Sequence, residues 1–172
     1  SSKELYERVR ILRVHGSEPK YFHKTIGGNF RLDAIQAAVV LAKLNYLDHW
    51  TELRRQNAET YKMLFEKRGL LNSLELPSET TPRHVYNQYV IRVKDHRNDL
   101  RQFLNKNHVA TEIYYPLPLH LQECFKNLGY HQGDFPVAER AADEVLALPV
   151  YPELTENQLE YVVEMIAHFF EK

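Results

Sequence analysis

From residue 31 to about residue 68, apolar side chains recur at steps of mostly three and four: Leu32, Ile35, Val39, Ala42, Tyr46, Trp50, Leu53, Tyr61 and Phe65. That is the period of one helix face. Lys67, Arg68 and Gly69 close the run, with cations at the negative end of the dipole and then a residue tolerant of positive φ. Helices beyond about 25 residues are uncommon in ordinary domains. The spacing therefore predicts either a bend near residues 45–48 or a helix that joins two domains. A coiled coil is the competing form, but Asn57, Glu59 and Thr60 interrupt any clean heptad seam.

Leading into this run is Ile26-Gly27-Gly28-Asn29-Phe30-Arg31-Leu32-Asp33. A diglycine precedes an amide, an aromatic ring and a cation, set where free N–H groups and the helix dipole favour an anion. Asn29 is read here in two ways, as the helix cap or as part of an anion site. Upstream, residues 2–14 read as a helix with Leu5, Val9 and Leu12 on one stripe, Ser2 as cap and Gly16 beyond its end. Residues 15–28 form a loop in which Tyr21, Phe22 and His23 are either anchored on a neighbouring surface or used for binding.

Downstream, residues 70–85 carry Pro77, Ser78 and Pro82 and read as a loop. Tyr89, Ile91 and Val93 alternate with polar residues and predict a strand; Val109, Thr111 and Ile113 predict a second. Between them Asp95 is placed to cap a short helix bearing Leu100, Phe103 and Leu104. Strand, helix, strand in so short a span points to a compact α+β unit. The stretch Tyr115-Pro116-Leu117-Pro118-Leu119-His120 is a shaped loop at a strand end. Pro136 opens a helix with Val137, Ala141, Val145 and Leu148 on one face, closed by Pro149. Thr155 and Gln158 make a capping box for a last helix that turns Leu159, Val162, Val163, Ile166, Phe169 and Phe170 inward.

The totals exclude several classes. Lys plus Arg is 22 and Asp plus Glu is 23, so the net charge of −1 leaves no electrostatic footprint for nucleic acid. A single cysteine, Cys124, rules out an internal disulfide framework and fits a reducing, cytoplasmic setting. No apolar run is long enough to cross a bilayer and no signal-peptide core is present. The histidines form no HExxH or comparable metal pattern, and no GxSxG, Walker or GxGxxG motif occurs. Bottom-up, the chain is an α+β protein with aromatic, polar loops and no complete catalytic set; no metal site is assigned.

Six stretches occur here in one order: Arg13-Val14-His15-Gly16, Gly28 through Ala38, Asn87-Gln88-Tyr89-Val90, Tyr114-Tyr115-Pro116, Pro118-Leu119-His120 and Leu146-Ala147-Leu148-Pro149. Together they resemble the C-terminal portion of the DegT/DnrJ/EryC1/StrS sugar aminotransferases, over essentially the whole chain. The resemblance implies a fold-type I pyridoxal-phosphate (PLP) enzyme that aminates a nucleotide-linked keto-sugar, with glutamate as donor and a homodimer as the working form. It divides the chain into a remnant of the large cofactor domain at 1–28, a long inter-domain helix at 29–69 and a small C-terminal domain at 70–172. The Schiff-base lysine of the family falls upstream of residue 1, and Lys20 and Lys24 do not match its motif, so no catalytic residue is assigned. The resemblance implies that Asn29, assisted by Arg31, reaches the phosphate of the partner subunit's PLP. It places Tyr114 and His120 at the border of the sugar-nucleotide pocket, with Tyr21 and Phe22 covering the same cleft. A regulatory or dimerisation module without catalysis is the alternative.

Overall fold

The computed structural model describes residues 2–171. The chain divides into two compact units, Ser1–Leu47 and Asp48–Lys172.

The first unit holds α1 (Lys3–Leu12) and α2 (Ala34–Leu44). Ser2 caps α1, its Oγ accepting from the Leu5 N–H at 3.2 Å. The segment between the helices folds back on the end of α1. Gly28 N–H donates to Leu12 O, His15 N–H to Gly28 O and Phe30 N–H to Arg13 O, each within 3.1 Å. Gly16 makes this path possible: its φ is +70°, and a Cβ there would lie 1.8 Å from Thr25 O. The pairing keeps residues 28–30 extended. Helix α2 consequently starts only at Ala34, with Asp33 at its N-cap, and Asn29 does not cap it. Neither α1 nor α2 contains a buried residue.

The expected long helix is two helices. Helix α2 ends at Leu44, and α3 (Leu47–Lys67) begins after a break at Asn45 and Tyr46, inside the stretch where the spacing predicts a bend.

The second unit is built on two antiparallel strands, β1 (Tyr89–Arg92) and β2 (Val145–Leu148), in the register Tyr89↔Leu148 through Arg92↔Val145. Glu75 bridges to Arg92 on one side and Glu112 to Ala147 on the other. Tyr89, Ile91, Leu146 and Leu148 point into one core with Tyr61 and Phe65 of α3, Leu100 and Leu104 of α4 (Arg97–Lys106) and Leu159, Val163 and Ile166 of α6 (Glu156–Phe170). This is the expected α+β arrangement, a small sheet packed by helices. The capping box at α6 forms, with the Thr155 N–H donating to Gln158 Oε1 at 2.9 Å.

Three local readings are corrected. The partner of β1 is β2, which the helical spacing from Val137 to Leu148 absorbs into a helix. Helix α5 (Pro136–Glu144) stops at Glu144 because Val145 turns extended at ψ 141° and Leu146, Ala147 and Leu148 are all buried. A short apolar run of that kind fits a buried strand as well as a helix. The second expected strand contributes only the Glu112 bridge, although Val109 and Ile113 are buried as the alternation requires. Finally, His96, with φ 63°, and not Asp95, occupies the N-cap of α4.

Candidate functional site

In the first unit the side chains of Asn29 and Arg31 are exposed, and neither has a hydrogen-bond or ion-pair partner among the described residues. Asn29 sits opposite Val14 at the base of the 15–28 excursion. Tyr21 and Phe22 sit at its far end, beyond the Ser17↔His23 bridge, 78% and 69% exposed. The excursion is pinned by Glu18, which pairs with Arg10 at 2.7 Å and Lys24 at 2.9 Å. Those two cations, Lys24 first, hold the Glu18 carboxyl below its ordinary range. Lys20 lies over the Tyr21 ring, 4.9 Å from its centroid. Asn29 and the Tyr21–Phe22 pair are thus held at opposite ends of one loop.

In the second unit, a cavity of about 340 Å³ opens at the end of the two strands. Asn87 and Gln88 enter from the residues before β1, Thr111, Glu112 and Tyr114 from the segment bridged to β2, and Pro149 from its C-terminal end. Three stretches singled out in the sequence, at 87–90, 114–116 and 146–149, therefore converge on one cleft. Its polar lining is two amides, a threonine, a phenol and one carboxylate. The carboxylate is engaged: Glu112 Oε1 accepts from Arg101 at 3.1 Å and from the Ile113 N–H at 2.9 Å. Thr111 Oγ1 is buried without a hydrogen-bond partner among the described residues.

Both walls of the cleft are fixed from behind. Tyr61 of α3 donates its hydroxyl to Pro149 O at 3.0 Å, and burial drives that phenol's pKa far up. Asn57, also on α3 and buried, donates to Tyr151 O at 2.8 Å. The approach to Asn87 is strapped to the same helix by Arg54 Nε donating to Val85 O at 2.9 Å and by Arg55 pairing with Glu79 at 2.8 Å.

His120 lies beside the cleft without lining it. Its side chain is 7% exposed, its ring centroid is 4.8 Å from that of Phe135, and Nε2 lies 2.9 Å from Glu139 Oε1 on α5. A carboxylate only accepts, so Nε2 carries the proton and donates. The structure thus brings Tyr114 to the cleft and His120 to a supporting contact. Glu139 and the α3 straps leave no motif in the sequence. A glutamate in the first turn after Pro136 was the available signal for Glu139, since an acid there reaches back to free N–H groups.

Among the described residues no group of three or more His, Cys, Asp or Glu is placed to hold a metal ion, and no helix is long and apolar enough to cross a membrane.

Comparison with known proteins matches residues 1–167 to the DegT/DnrJ/EryC1/StrS aminotransferase family. The chain belongs to this family. It is 50% identical over 168 residues to a pleiotropic regulatory protein of Geobacillus stearothermophilus, covering 97% of this chain and 45% of that one. It is 35% identical to dTDP-3-amino-3,6-dideoxy-alpha-D-galactopyranose transaminase of Aneurinibacillus thermoaerophilus, covering 96% of this chain and 44% of that enzyme. Among solved structures, S. venezuelae DesV in complex with a ketimine intermediate superposes with a TM-score of 0.85 at 35% identity, over 99% of this chain and 45% of DesV. The chain thus spans less than half the length of the relatives it matches.

Proposed function

We propose that this chain is the C-terminal portion of a PLP-dependent aminotransferase that passes an amino group from glutamate to a nucleotide-linked keto-sugar. The parent acts as a cytoplasmic homodimer. Residues 1–28 then end its large domain, 29–69 form the helical connection, and 70–172 are its small domain. The observation that carries this reading is the convergence of the 87–90, 114–116 and 146–149 stretches on one cleft, in a chain 35% identical to a dTDP-amino-sugar transaminase and to DesV, solved with a ketimine intermediate.

The residues present fit the phosphate side of the cofactor. Asn29 offers an amide donor and Arg31 a cation, both exposed and without internal partners among the described residues. When bound, PLP supplies the electron sink and carries the amino group between donor and acceptor. Asn29 would donate to a phosphate oxygen of the cofactor held by the other subunit, and Arg31 would balance its charge. No lysine here is assigned to the Schiff base.

In the cleft, Asn87, Gln88 and Tyr114 supply neutral donors and acceptors, and among the described residues no cation lines it. Such a lining suits the hydroxylated, uncharged part of a nucleotide sugar and not its diphosphate. The amides and the phenol would bind and orient the sugar while the strapped walls keep its position fixed.

The 50% identical relative that carries a regulatory name favours a second reading, a regulatory module without catalysis. One experiment separates the two. The complete protein containing this chain is loaded with PLP and mixed with glutamate, then with a panel of nucleotide keto-sugars. Loss of the cofactor-aldehyde absorption with glutamate, and its return with a keto-sugar, is the expected result. A spectrum unmoved by both additions overturns the enzymatic reading.

A further inference from the structure

Residues 115–122 follow Tyr114 out of the cleft and cross α5. Packing covers little of Tyr115 and Leu119, which are 71% and 73% exposed. A second cavity, of about 310 Å³, separates Tyr114, Tyr115, Leu117 and Pro118 from Ala138 and Ala141 of α5. The short alanine side chains leave the helix surface short of the loop, and the space between them is open to solvent. Hydrogen bonds inside the segment, Gln122 Nε2 to Leu117 O and Leu121 N–H to Pro118 O, shape it but do not anchor it. Among the described residues, the one side-chain hydrogen bond that leaves the segment is His120 Nε2 to Glu139 Oε1.

Glu139 is itself held from a third direction. Its two oxygens accept from the Gly133 N–H at 2.9 Å each, and Oε1 accepts from the Phe135 N–H at 3.2 Å. One carboxylate, 17% exposed, thus gathers the 115–122 segment, the turn before α5 and the first turn of α5 itself. Helix α5 runs directly into β2, whose end forms the opposite wall of the cleft.

We propose that Glu139 is a positioning residue for the sugar cleft: through His120 it sets where Tyr114 and the segment after it stand over the cleft. This rests on the reading that the cleft takes the sugar part of the substrate. The device needs no contact between Glu139 and the ligand. It needs only that the segment be anchored at one point and ride over a gap elsewhere, so that loss of the anchor moves the cleft wall.

The test uses the complete PLP-loaded enzyme with Glu139→Ala and Glu139→Gln. The glutamine variant keeps an acceptor oxygen for His120 and the turn; the alanine variant does not. Glu139→Ala is expected to raise KM for the nucleotide keto-sugar about tenfold with the glutamate half-reaction unchanged, and Glu139→Gln to restore most of the loss. Amide hydrogen exchange at Gly133, Phe135, Leu117 and residues 119–122 is expected to quicken in Glu139→Ala alone. An unchanged KM, or an equal fall in both half-reactions, overturns the proposal, as does exchange that stays at the wild-type rate. A wild-type enzyme that turns over no nucleotide keto-sugar overturns the functional reading instead, and the exchange data then judge the anchor by itself.

Discussion

Asn29 illustrates what a single side chain can be free to do. Its backbone neighbours are spent on α1, with Phe30 N–H on Arg13 O and Gly28 N–H on Leu12 O, while its own amide faces solvent without a partner among the described residues. An exposed amide with nothing to hold contributes little to folding, so Asn29→Ala should shift the unfolding free energy of the complete protein by less than about 0.5 kcal/mol. If its task is the partner subunit's cofactor, the same change should speed PLP loss in dialysis. Wild-type retention with wild-type stability would leave Asn29 without a cofactor role. The sequence showed the residue and its motif but not its geometry. A polar residue before a helical pattern reads as a cap, and only the pairing with α1, enabled by Gly16 at φ +70°, moves the helix start to Ala34. Pairing between segments distant along the chain leaves no local trace.

Helix α5 and strand β2 meet at a carbonyl-rich junction, and α4 supplies the donor that satisfies it. Arg97 is 8% exposed; it donates from Nη1 to Val145 O at 2.8 Å, from Nη2 to Ala142 O at 3.0 Å, and from Nε to Asn98 Oδ1 at 2.9 Å. Burial lowers its pKa, yet the guanidinium sits where the negative end of the α5 dipole favours a cation. Arg97→Ala should destabilise the protein by about 2 kcal/mol, because two carbonyls lose their donor inside the fold. Arg97→Lys should recover only part of this, since an ammonium lacks the fork that reaches both. Urea unfolding midpoints at constant slope check the order of the three proteins; an Arg97→Ala midpoint equal to wild type would make the junction solvent-satisfied. This junction is also where periodicity failed. Val137, Ala141, Val145 and Leu148 keep helical spacing across a boundary that the backbone does not respect, and an arginine at the first position of a helix reads as surface. By contrast, β1 was legible because Tyr89, Ile91 and Val93 alternate against polar neighbours, and α6 because four of its six expected inward residues are buried and the other two, Phe169 and Phe170, pack partly buried against the same core.

At the scale of the molecule, the two units differ in what burial they own. Among the described residues, 48–171 hold every core side chain, whereas α1 and α2 leave Leu5, Val9, Ile35, Val39 and Leu44 at least half exposed. Apolar stripes are written in the sequence for both, but a stripe does not say what covers it. For the second unit the acid limb of stability follows from its carboxylates. Lys94, then the charge of Arg92, holds Glu75 below its ordinary value of 4.5. The His84 N–H, with Arg55, does the same for Glu79 against the opposing effect of burial. Burial pushes Glu139 up, but the Gly133 and Phe135 N–H groups and His120 outweigh it, and its carboxyl also ends below 4.5. A carboxyl with a folded pKa below its unfolded one binds fewer protons when folded, so its contribution is complete above 4.5 and is lost as pH falls through the folded value. Stability measured by urea unfolding should therefore be flat in these groups at neutral pH and decline on acidification from about pH 5 towards about pH 3. Salt should flatten the Glu75 part, which rests on exposed ammonium and guanidinium groups. It should spare the Glu139 part, which rests on backbone N–H groups, so Glu139→Gln should reduce the acid slope that persists in high salt. Stability that rises on acidification, or a high-salt slope identical in Glu139→Gln, would show that these carboxylates keep their unfolded affinity for protons in the folded chain.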